Sequence, residues 1–371
     1  MPSIIQVLIM ALGFILVFLL PELDVEFASG YFSAVAMINL SLIFGTPLGV
    51  LVQRDIVKGN PYEKYLLTMI MNIVVVSIIF NIINNHEIAF TVLSAVLIGL
   101  VYYLKGALIG KNQIRESYVF NIVRGFILPV GALISVHFAN NFQIFTLLLV
   151  FVFILLVSWQ WKNLRYCRLP SFQEYIRISR STLYLSGSSS LIWLFYQLPR
   201  LQFFQLESTD TIMLVQSMSV PLALLSIYEA RGPYLLNNLL RSEARSFAHN
   251  LGLLASFYGL SYLAFWLLFS FMERFELLTY INFYIAGAFF GLSFLLSCHF
   301  ELVRRLFTVS DEKTIFNIFF PTISLYGIGS FVFLKYFNGD HFSLLIALFL
   351  VCYLPAVLVV GRRYSFFKKI Y

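Results

Sequence analysis

The sequence predicts an all-α membrane protein of about twelve transmembrane helices arranged in two six-helix lobes. Of its 371 residues, 60% are hydrophobic and only 12% are charged, and its mean hydropathy is +0.85. A soluble exterior needs far more charge than this, whereas lipid can surround an apolar surface. Because a spanning helix takes roughly 20 mainly apolar residues, about twelve helices with short loops use nearly the whole chain.

Apolar runs bounded by charged, Gly, Pro or Asn residues predict the individual spans. In the first half they cover residues 4–20, 31–53, 65–83, 88–110, 117–138 and 142–161. In the second half they cover residues 182–204, 211–231, 248–271, 278–303, 314–336 and 342–361. The first run has no Lys/Arg-rich start and no clear small-residue cleavage site, so we expect a retained helix rather than a signal peptide.

The basic residues concentrate on one side of this predicted topology. Alternate loops, together with Arg124, hold 22 of the 25 Lys and Arg residues. The opposite side holds Arg200, Arg274 and Lys335 and nine of the 18 acidic residues. The positive-inside rule therefore predicts an even number of helices with both termini in the cytoplasm. These basic loops account for the net charge of +7. Because the excess charge reflects topology, we expect no nucleic-acid partner.

The longest segment between predicted spans divides the helices six and six. We predict an N-terminal lobe over residues 1–162, a basic cytoplasmic linker over 163–181 and a C-terminal lobe over 182–371. Two six-helix halves have the same orientation, so an axis along the membrane normal can relate them. The second helix of each half ends in a similar pattern, with Gly and Pro followed by Arg. The residues are Pro47, Gly49 and Arg54 in the first half and Gly232, Pro233 and Arg241 in the second.

The sequence shows no pattern for a metal, a cofactor or catalysis. Cys167, Cys298 and Cys352 have neither metal-ligand spacing nor a disulfide framework, and the five histidines are dispersed. Glycine loops for phosphates, HExxH and nucleophile–base spacings are missing from the sequence. We therefore expect no metal, no cofactor and no enzyme activity.

Three segments resemble the polysaccharide and O-antigen flippases of the multidrug/oligosaccharidyl-lipid/polysaccharide exporter superfamily. The first runs from the acidic stretch ELDVEFASGYFSAVA at 22–36 to Gln53-Arg54-Asp55. The second runs from Ser208 through Pro221 to Gly232-Pro233-Tyr234-Leu235, and the third is HFELVRRLF at 299–307. The match covers the whole chain in layout, although each motif alone is degenerate.

The resemblance implies a MOP/MATE-like fold and a function in surface polysaccharide biosynthesis. Such proteins translocate oligosaccharide repeat units of O-antigen or capsule, linked to polyprenyl diphosphate, from the cytoplasmic to the periplasmic leaflet by alternating access. The expected location is the cell inner membrane. The expected partners are the lipid-linked oligosaccharide, membrane lipids and polysaccharide assembly proteins.

Charges within predicted spans are the candidate substrate-binding residues, because a charge at mid-bilayer costs roughly 3 kcal/mol or more on insertion scales. Arg124 lies about eight residues into the fifth span, or ~12 Å along it. It is a candidate for binding the diphosphate, and a snorkelling anchor is the alternative. Lys105, near the end of the fourth span, has the same two interpretations.

The seventh span supplies the remaining candidates for a sugar-binding wall. Arg200 follows Pro199, near Trp193, Tyr196 and Gln197. An interfacial aromatic belt with one basic anchor is the alternative interpretation. In the tenth span, Glu301 and His299 are candidates for binding a coupling proton or cation, and a polar cluster at headgroup level is the alternative.

Two other functions compete with the flippase. A small-molecule or drug exporter of the same superfamily shares the fold and differs in the chemistry of its cavity. An O-antigen polymerase has a similar number of helices but needs a sizeable periplasmic loop for its catalytic residues. Because the predicted outer loops are all short, the polymerase is the weakest of the three.

Overall fold

A computed structural model describes seven stretches of the chain: 45–84, 88–120, 142–190, 208–240, 247–273, 282–336 and 343–363. It also describes a few single positions at 19–31 and 130–134. Throughout these residues the chain is helical apart from short turns and caps, and they contain no β-strand. The all-α prediction is confirmed for this part of the molecule.

The chain divides into two compact units, Met1–Ser186 and Gly187–Tyr371. The helices of unit 1 are α1 (Gly45–Val57), α2 (Tyr65–Asn84), α3 (Ile88–Gly110), α4 (Phe142–Trp159), the short α5 (Trp161–Leu164) and α6 (Phe172–Leu185). Residues 114–120 are also helical. A π-helical turn, Ser186–Ser190, follows α6.

The described residues of unit 2 form five longer helices. They are α7 (Ser208–Leu240), α8 (Phe247–Glu273), α9 (Phe283–Val309), α10 (Glu312–Tyr336) and α11 (Ser343–Arg363). The Asn282 side chain caps the start of α9 by accepting the backbone N–H groups of Tyr284 and Ile285, at 3.0 and 3.1 Å. Such caps satisfy donors that the first helical turn leaves unpaired.

Five of the described helices are long and apolar enough to cross a membrane. The qualifying stretches are Val92–Gly110, Phe247–Leu268, Phe283–Val309, Glu312–Val332 and Leu344–Arg363. Shorter apolar stretches occur in α2, α4 and α7, at Tyr65–Ile78, Thr146–Trp159 and Val215–Leu225. Large apolar side chains are exposed along α8, including Leu260 and Trp266. Lipid is the solvent in which such a surface is stable, and the chain is accordingly a membrane-embedded protein.

Two helices extend far beyond the predicted ends of their spans. The prediction ended the eighth span at residue 231, before Gly232-Pro233, but α7 continues to Leu240 with Pro233 inside it. The residues beyond Pro233 are held by packing, since Leu236 and Asn237 are buried. The prediction also ended the tenth span at 303 because Arg304 follows, whereas α9 continues to Val309.

The predicted linker is also more structured than expected. Its second half forms α6, which begins with a capping box: the Ser171 hydroxyl accepts the Glu174 N–H, and the Glu174 carboxylate accepts the Ser171 N–H at 2.9 Å. This reciprocal pair satisfies two donors at the helix start. The boundary between the two units falls after this helix, so α6 belongs to unit 1.

The core of unit 1 is a close crossing of α1 and α3. A Cβ atom on Gly49 would lie 2.9 Å from the Tyr102 carbonyl oxygen, and one on Gly106 would collide with the Gly49 carbonyl oxygen. Small residues let two membrane helices approach backbone to backbone, which increases their van der Waals contact. Glycine at both positions therefore fixes this crossing.

Candidate functional site

A buried cluster of polar and charged side chains joins α9 to α7 and α8 in unit 2. Its centre is Glu301, whose residue is only 1% exposed. The Arg305 Nε donates to Glu301 Oε1 at 2.9 Å, and the Asn250 Nδ2 donates to the same oxygen at 2.9 Å. The Tyr228 hydroxyl donates to Glu301 Oε2 at 3.0 Å. These three donors satisfy the carboxylate in its ionised form.

Two arginines surround this carboxylate and contact aromatic rings. The Arg305 guanidinium lies 5.3 Å from the centre of the Phe247 ring, and the Arg304 guanidinium lies 4.8 Å from that of Tyr228. Both distances suit a cation–π interaction. Tyr228 therefore serves both charges, since its hydroxyl binds Glu301 while its ring lies beneath Arg304. We call Tyr228, Asn250, Glu301, Arg304 and Arg305 the α9 cluster.

Gly232 provides the space for one of these arginines. A Cβ atom at this position would lie 2.5 Å from Nη2 of Arg304. Glycine thus lets the Arg304 guanidinium lie directly against the backbone of α7. The three charged groups of the cluster carry one net positive charge, because Glu301 balances only one of the two arginines.

Local sequence explains part of this arrangement. Glu301 and Arg305 are four residues apart, so they lie on the same face of α9 and form an i,i+4 ion pair. Asn250 lies in the first turn of α8, where it reaches the last third of α9. Breaking a buried ion pair by removing one partner typically costs about 3–5 kcal/mol, because the other charge stays buried. The cluster therefore stabilises the packing of α9 against α7 and α8.

His299, two residues before Glu301 and therefore on the other side of α9, makes a second set of contacts. Its Nε2 is 2.9 Å from the Ser188 carbonyl oxygen, and its Nδ1 is 2.7 Å from the Tyr353 hydroxyl. A backbone carbonyl only accepts, so Nε2 carries the proton and Nδ1 of the neutral ring accepts from Tyr353. His299 is completely buried and packs edge-on against Phe319. These contacts join α9 to the π-helical turn, α10 and α11.

Lys105 is the sequence-predicted site residue that the structure describes in unit 1. It is buried in α3, next to Gly106 at the crossing with α1. At the end of α1, Arg54 Nε donates to Asp55 at 3.2 Å, and the Tyr65 hydroxyl donates to the other oxygen of Asp55. The helices that correspond to the second and fourth predicted spans thus also carry buried or partly buried charges.

The other predicted site residues lie outside the described residues: Arg124, Trp193, Tyr196, Gln197 and Arg200. Of the eight candidates, the structure brings Glu301 and His299 to the same helix of unit 2, with separate partners. Within the described ranges, no group of three or more His, Cys, Asp or Glu side chains could hold a metal ion.

The sequence analysis did not predict the partners of Glu301 and His299 or the second arginine of the α9 cluster. These five residues are Tyr228, Asn250, Arg304, Arg305 and Tyr353. The two arginines were assigned to a cytoplasmic loop, whereas both lie inside α9 and Arg305 is buried. The spacing of Glu301 and Arg305 is a signal that could have identified their pairing. The other three partners come from distant helices, which no local pattern indicates.

The helices and the α9 cluster define a polytopic, all-helical membrane protein with a buried charged site. Comparison of the chain with protein-family models, curated proteins and solved structures finds no match.

Proposed function

We propose that this protein is a flippase for oligosaccharide repeat units linked to polyprenyl diphosphate. In this proposal it has twelve transmembrane helices in two six-helix lobes, lies in the cell inner membrane with both termini in the cytoplasm, and works by alternating access. The support comes from the charge asymmetry of the loops and from the three segments that resemble the flippase family.

The observation that carries the proposal is the pair of arginines within an apolar helix. The third family-like segment, HFELVRRLF, is the part of α9 that contains Glu301, Arg304 and Arg305. Charges within membrane helices are costly and usually mark a functional site. Arginine presents a planar fork of donors that fits the oxygens of a phosphate. A lipid diphosphate is thus a chemically suitable ligand for this region.

We assign different roles to the members of the α9 cluster. Arg304 binds the diphosphate, with Gly232 leaving room for its guanidinium and the Tyr228 ring supporting it. Glu301 and Arg305 neutralise each other and are positioning residues, because their hydrogen bonds join α9 to α7 and α8.

The remaining predicted residues complete the proposed pathway. Lys105 and Arg124 are proposed to attract the anionic headgroup from the first lobe. In the seventh span, Arg200 with Trp193, Tyr196 and Gln197 is proposed to face the sugars, which bind well to aromatic faces and amide donors.

The coupling ion is a separate part of the proposal. Glu301 would have to exchange its three donors for a proton or a cation, and both nitrogens of His299 already have partners. We therefore expect that ion coupling at either residue would require α9 to separate from α7, α8 or α11 during transport.

Surface display of polysaccharide tests this proposal. In a strain lacking the chromosomal gene, Arg304→Gln should reduce display at least tenfold, as should Arg124→Ala and Arg200→Ala, while each variant still reaches the membrane. Lys313→Gln is the matched control, since Lys313 is an exposed cation in the first turn of α10. Normal display in all three arginine variants would contradict the site. Normal display in the deletion strain, with lost resistance to a drug, would instead indicate a small-molecule exporter.

A further inference from the structure

The segment between α4 and the π-helical turn has an unusual charge balance. Residues 160–185 contain five basic side chains and a single acidic one, Glu174. The five basic residues are all exposed: Lys162, Arg165, Arg168, Arg177 and Arg180. Glu174 is already in an ion pair with Lys64 of unit 1, so it does not neutralise its own segment.

One face of α6 is fixed to α2 by polar contacts. The Tyr175 hydroxyl donates to Asn72 Oδ1 at 2.8 Å, and Asn72 Nδ2 donates to the Ser179 hydroxyl at 3.2 Å. The ion pair of Lys64 and Glu174 continues this row of contacts at the start of both helices. Asn72 lies seven residues into α2, which is ~10 Å along an apolar helix. α6 thus lies beside the first turns of α2.

The preceding loop is fixed to unit 1 as well. The Arg168 N–H donates to the Glu63 carbonyl at 3.0 Å, and Lys111 Nζ donates to Asn163 Oδ1 at 3.1 Å. The Cys167 sulfur lies 3.5 Å from the Tyr103 hydroxyl, and burial raises the pKa of its thiol. Contacts along the whole segment therefore prevent it from rotating to bury the side chains that it exposes.

An adjacent face of α6, next to the one that contacts α2, exposes a stripe of large apolar side chains. Phe172 is 77% exposed, Ile176 48% and Leu183 49%. At about 100° per residue these three positions lie within about 40° of one another around the helix. Arg180 borders the stripe, and Arg177 lies further round on the same side. A helix with an exposed apolar stripe bordered by basic residues is typical of membrane interfaces.

We propose that α6 and the loop before it form an interfacial platform that binds acidic lipid headgroups. Its stripe enters the boundary between headgroups and acyl chains, and its arginines contact the lipid phosphates and acidic headgroups. Exposed Trp161 and Tyr166 suit the same depth, since Trp and Tyr favour the membrane interface. This proposal rests on the membrane embedding of unit 1 and is independent of the transported substrate.

Charge and position favour lipid over a protein occupant. A second copy of this chain would bring its own arginines to the same surface, and like charges would repel each other. Acidic lipids complement the five exposed cations, and each basic residue near such a surface strengthens binding roughly fivefold. The neighbouring helix α2 also exposes large apolar side chains, Val75 and Ile78, which suit a lipid environment.

Fluorescence quenching by brominated lipids tests the platform directly. The full-length protein would have its four tryptophans replaced by phenylalanine and a single reporter introduced by Ile176→Trp. It would be placed in nanodiscs that contain equal fractions of acyl-brominated phosphatidylcholine or acyl-brominated phosphatidylglycerol. We expect strong quenching in both, and stronger quenching by the acidic lipid. The preference should weaken at high salt, which screens charge.

A double variant and a matched control isolate the role of the arginines. Arg177→Gln with Arg180→Gln should abolish most of the preference for phosphatidylglycerol while leaving quenching by phosphatidylcholine. Lys58→Gln with Lys313→Gln removes two exposed cations elsewhere and should leave the preference unchanged. No quenching of the reporter, equal quenching by both lipids, or quenching relieved by a second copy in the same nanodisc would each overturn the proposal.

Hydrogen exchange on the unmodified protein provides a second measurement if the reporter protein does not fold. Peptides covering 160–185 should exchange several-fold more slowly in nanodiscs containing phosphatidylglycerol than in phosphatidylcholine alone. Peptides from α11 serve as the internal reference. Equal exchange of the segment in both lipids would overturn the proposal.

Discussion

The two units each contain a close contact between corresponding helices, but they make it with different chemistry. In unit 1, α1 and α3 correspond to the second and fourth predicted spans and meet backbone to backbone at Gly49 and Gly106. In unit 2, α7 and α9 correspond to the eighth and tenth spans, and there Gly232 faces an arginine side chain. The second pair is joined by the hydrogen bond from Tyr228 to Glu301.

This difference teaches that close helix crossings within one membrane protein can be stabilised in two ways. The crossing of unit 1 depends on the lack of a side chain at Gly49 and Gly106. Without side chains there, the two helix backbones come into close van der Waals contact, which stabilises the crossing. The crossing of unit 2 depends on a complete set of charged and polar partners, which is costly if any one is missing. Unit 1 should therefore be sensitive to added volume and unit 2 to lost charge.

The largest effect should come from removing the carboxylate of unit 2. Glu301→Ala leaves Arg305 buried without its partner, so we expect a loss of about 3–5 kcal/mol in the free energy of unfolding. Thermal unfolding and the yield of monodisperse protein in detergent would measure it. The double variant Glu301→Leu with Arg305→Met should lose much less, since it removes both charges. If Glu301→Ala is as stable as the wild type, the ion pair of Glu301 and Arg305 does not stabilise the fold.

The next effect is expected at the glycine crossing of unit 1. Gly106→Ala would place a methyl group against the Gly49 carbonyl, and separating the two helices should cost about 1–3 kcal/mol. The same unfolding measurement applies. Gly252→Ala and Gly259→Ala are controls in α8, where an added Cβ has no neighbour within 4 Å. They should be neutral or stabilising, because alanine favours helix. If the alanine variants in α8 lose as much stability as Gly106→Ala in α3, the close crossing is not the cause of the loss.

A smaller loss is expected at the histidine of unit 2. Tyr353→Phe removes the donor to Nδ1 of His299 and leaves that nitrogen buried, which should cost about 1–2 kcal/mol. Tyr284→Phe is the control, since Tyr284 is almost fully exposed. If the two variants unfold at the same temperature, the contact with His299 contributes no stability.

The smallest effect is expected at the ion pair that holds α6 to unit 1. Hydrogen bonds from Lys64 and Ser171 lower the pKa of Glu174 from 4.5 to about 2. A lowered carboxyl pKa means that its stabilisation is fully present above about pH 4.5 and is lost as the pH falls through about 2. Glu174→Gln should therefore make residues 160–185 more sensitive to protease at neutral pH. Below about pH 2, with an acid protease, the variant and the wild type should behave alike. A difference that persists there would rule out this titration.

The sequence predicted the helices best where polar residues border an apolar run. The predicted spans 65–83 and 88–110 correspond to Tyr65–Asn84 and Ile88–Gly110, between which the sequence has the polar residues Asn85, His86 and Glu87. The spans failed where a charge or proline lies within a helix, as at Arg304 in α9 and Pro233 in α7. Tertiary packing overrides the local signal at these positions. The count of twelve helices remains a prediction.

The start of α6 carries a sequence signal for a helix that the prediction of a linker did not use. The stretch after Pro170 contains Ser171 and Glu174 at capping-box spacing, which indicates a helix start. Its basic residues were attributed to topology alone. In the α9 cluster, Glu301 was identified from its charge, but Tyr228 and Asn250 belong to other helices and only the fold brings them to it.

Transport in a purified system tests the proposed function most directly. The protein would be reconstituted in liposomes with a polyprenyl-diphosphate-linked oligosaccharide that carries a label, and the fraction of label accessible from outside would be followed over time. We expect wild-type protein and Lys313→Gln to equilibrate the labelled lipid across the bilayer, and Arg304→Gln to do so at least tenfold more slowly. If wild-type protein moves the lipid no faster than protein-free liposomes, the chain is not a flippase for this class of substrate.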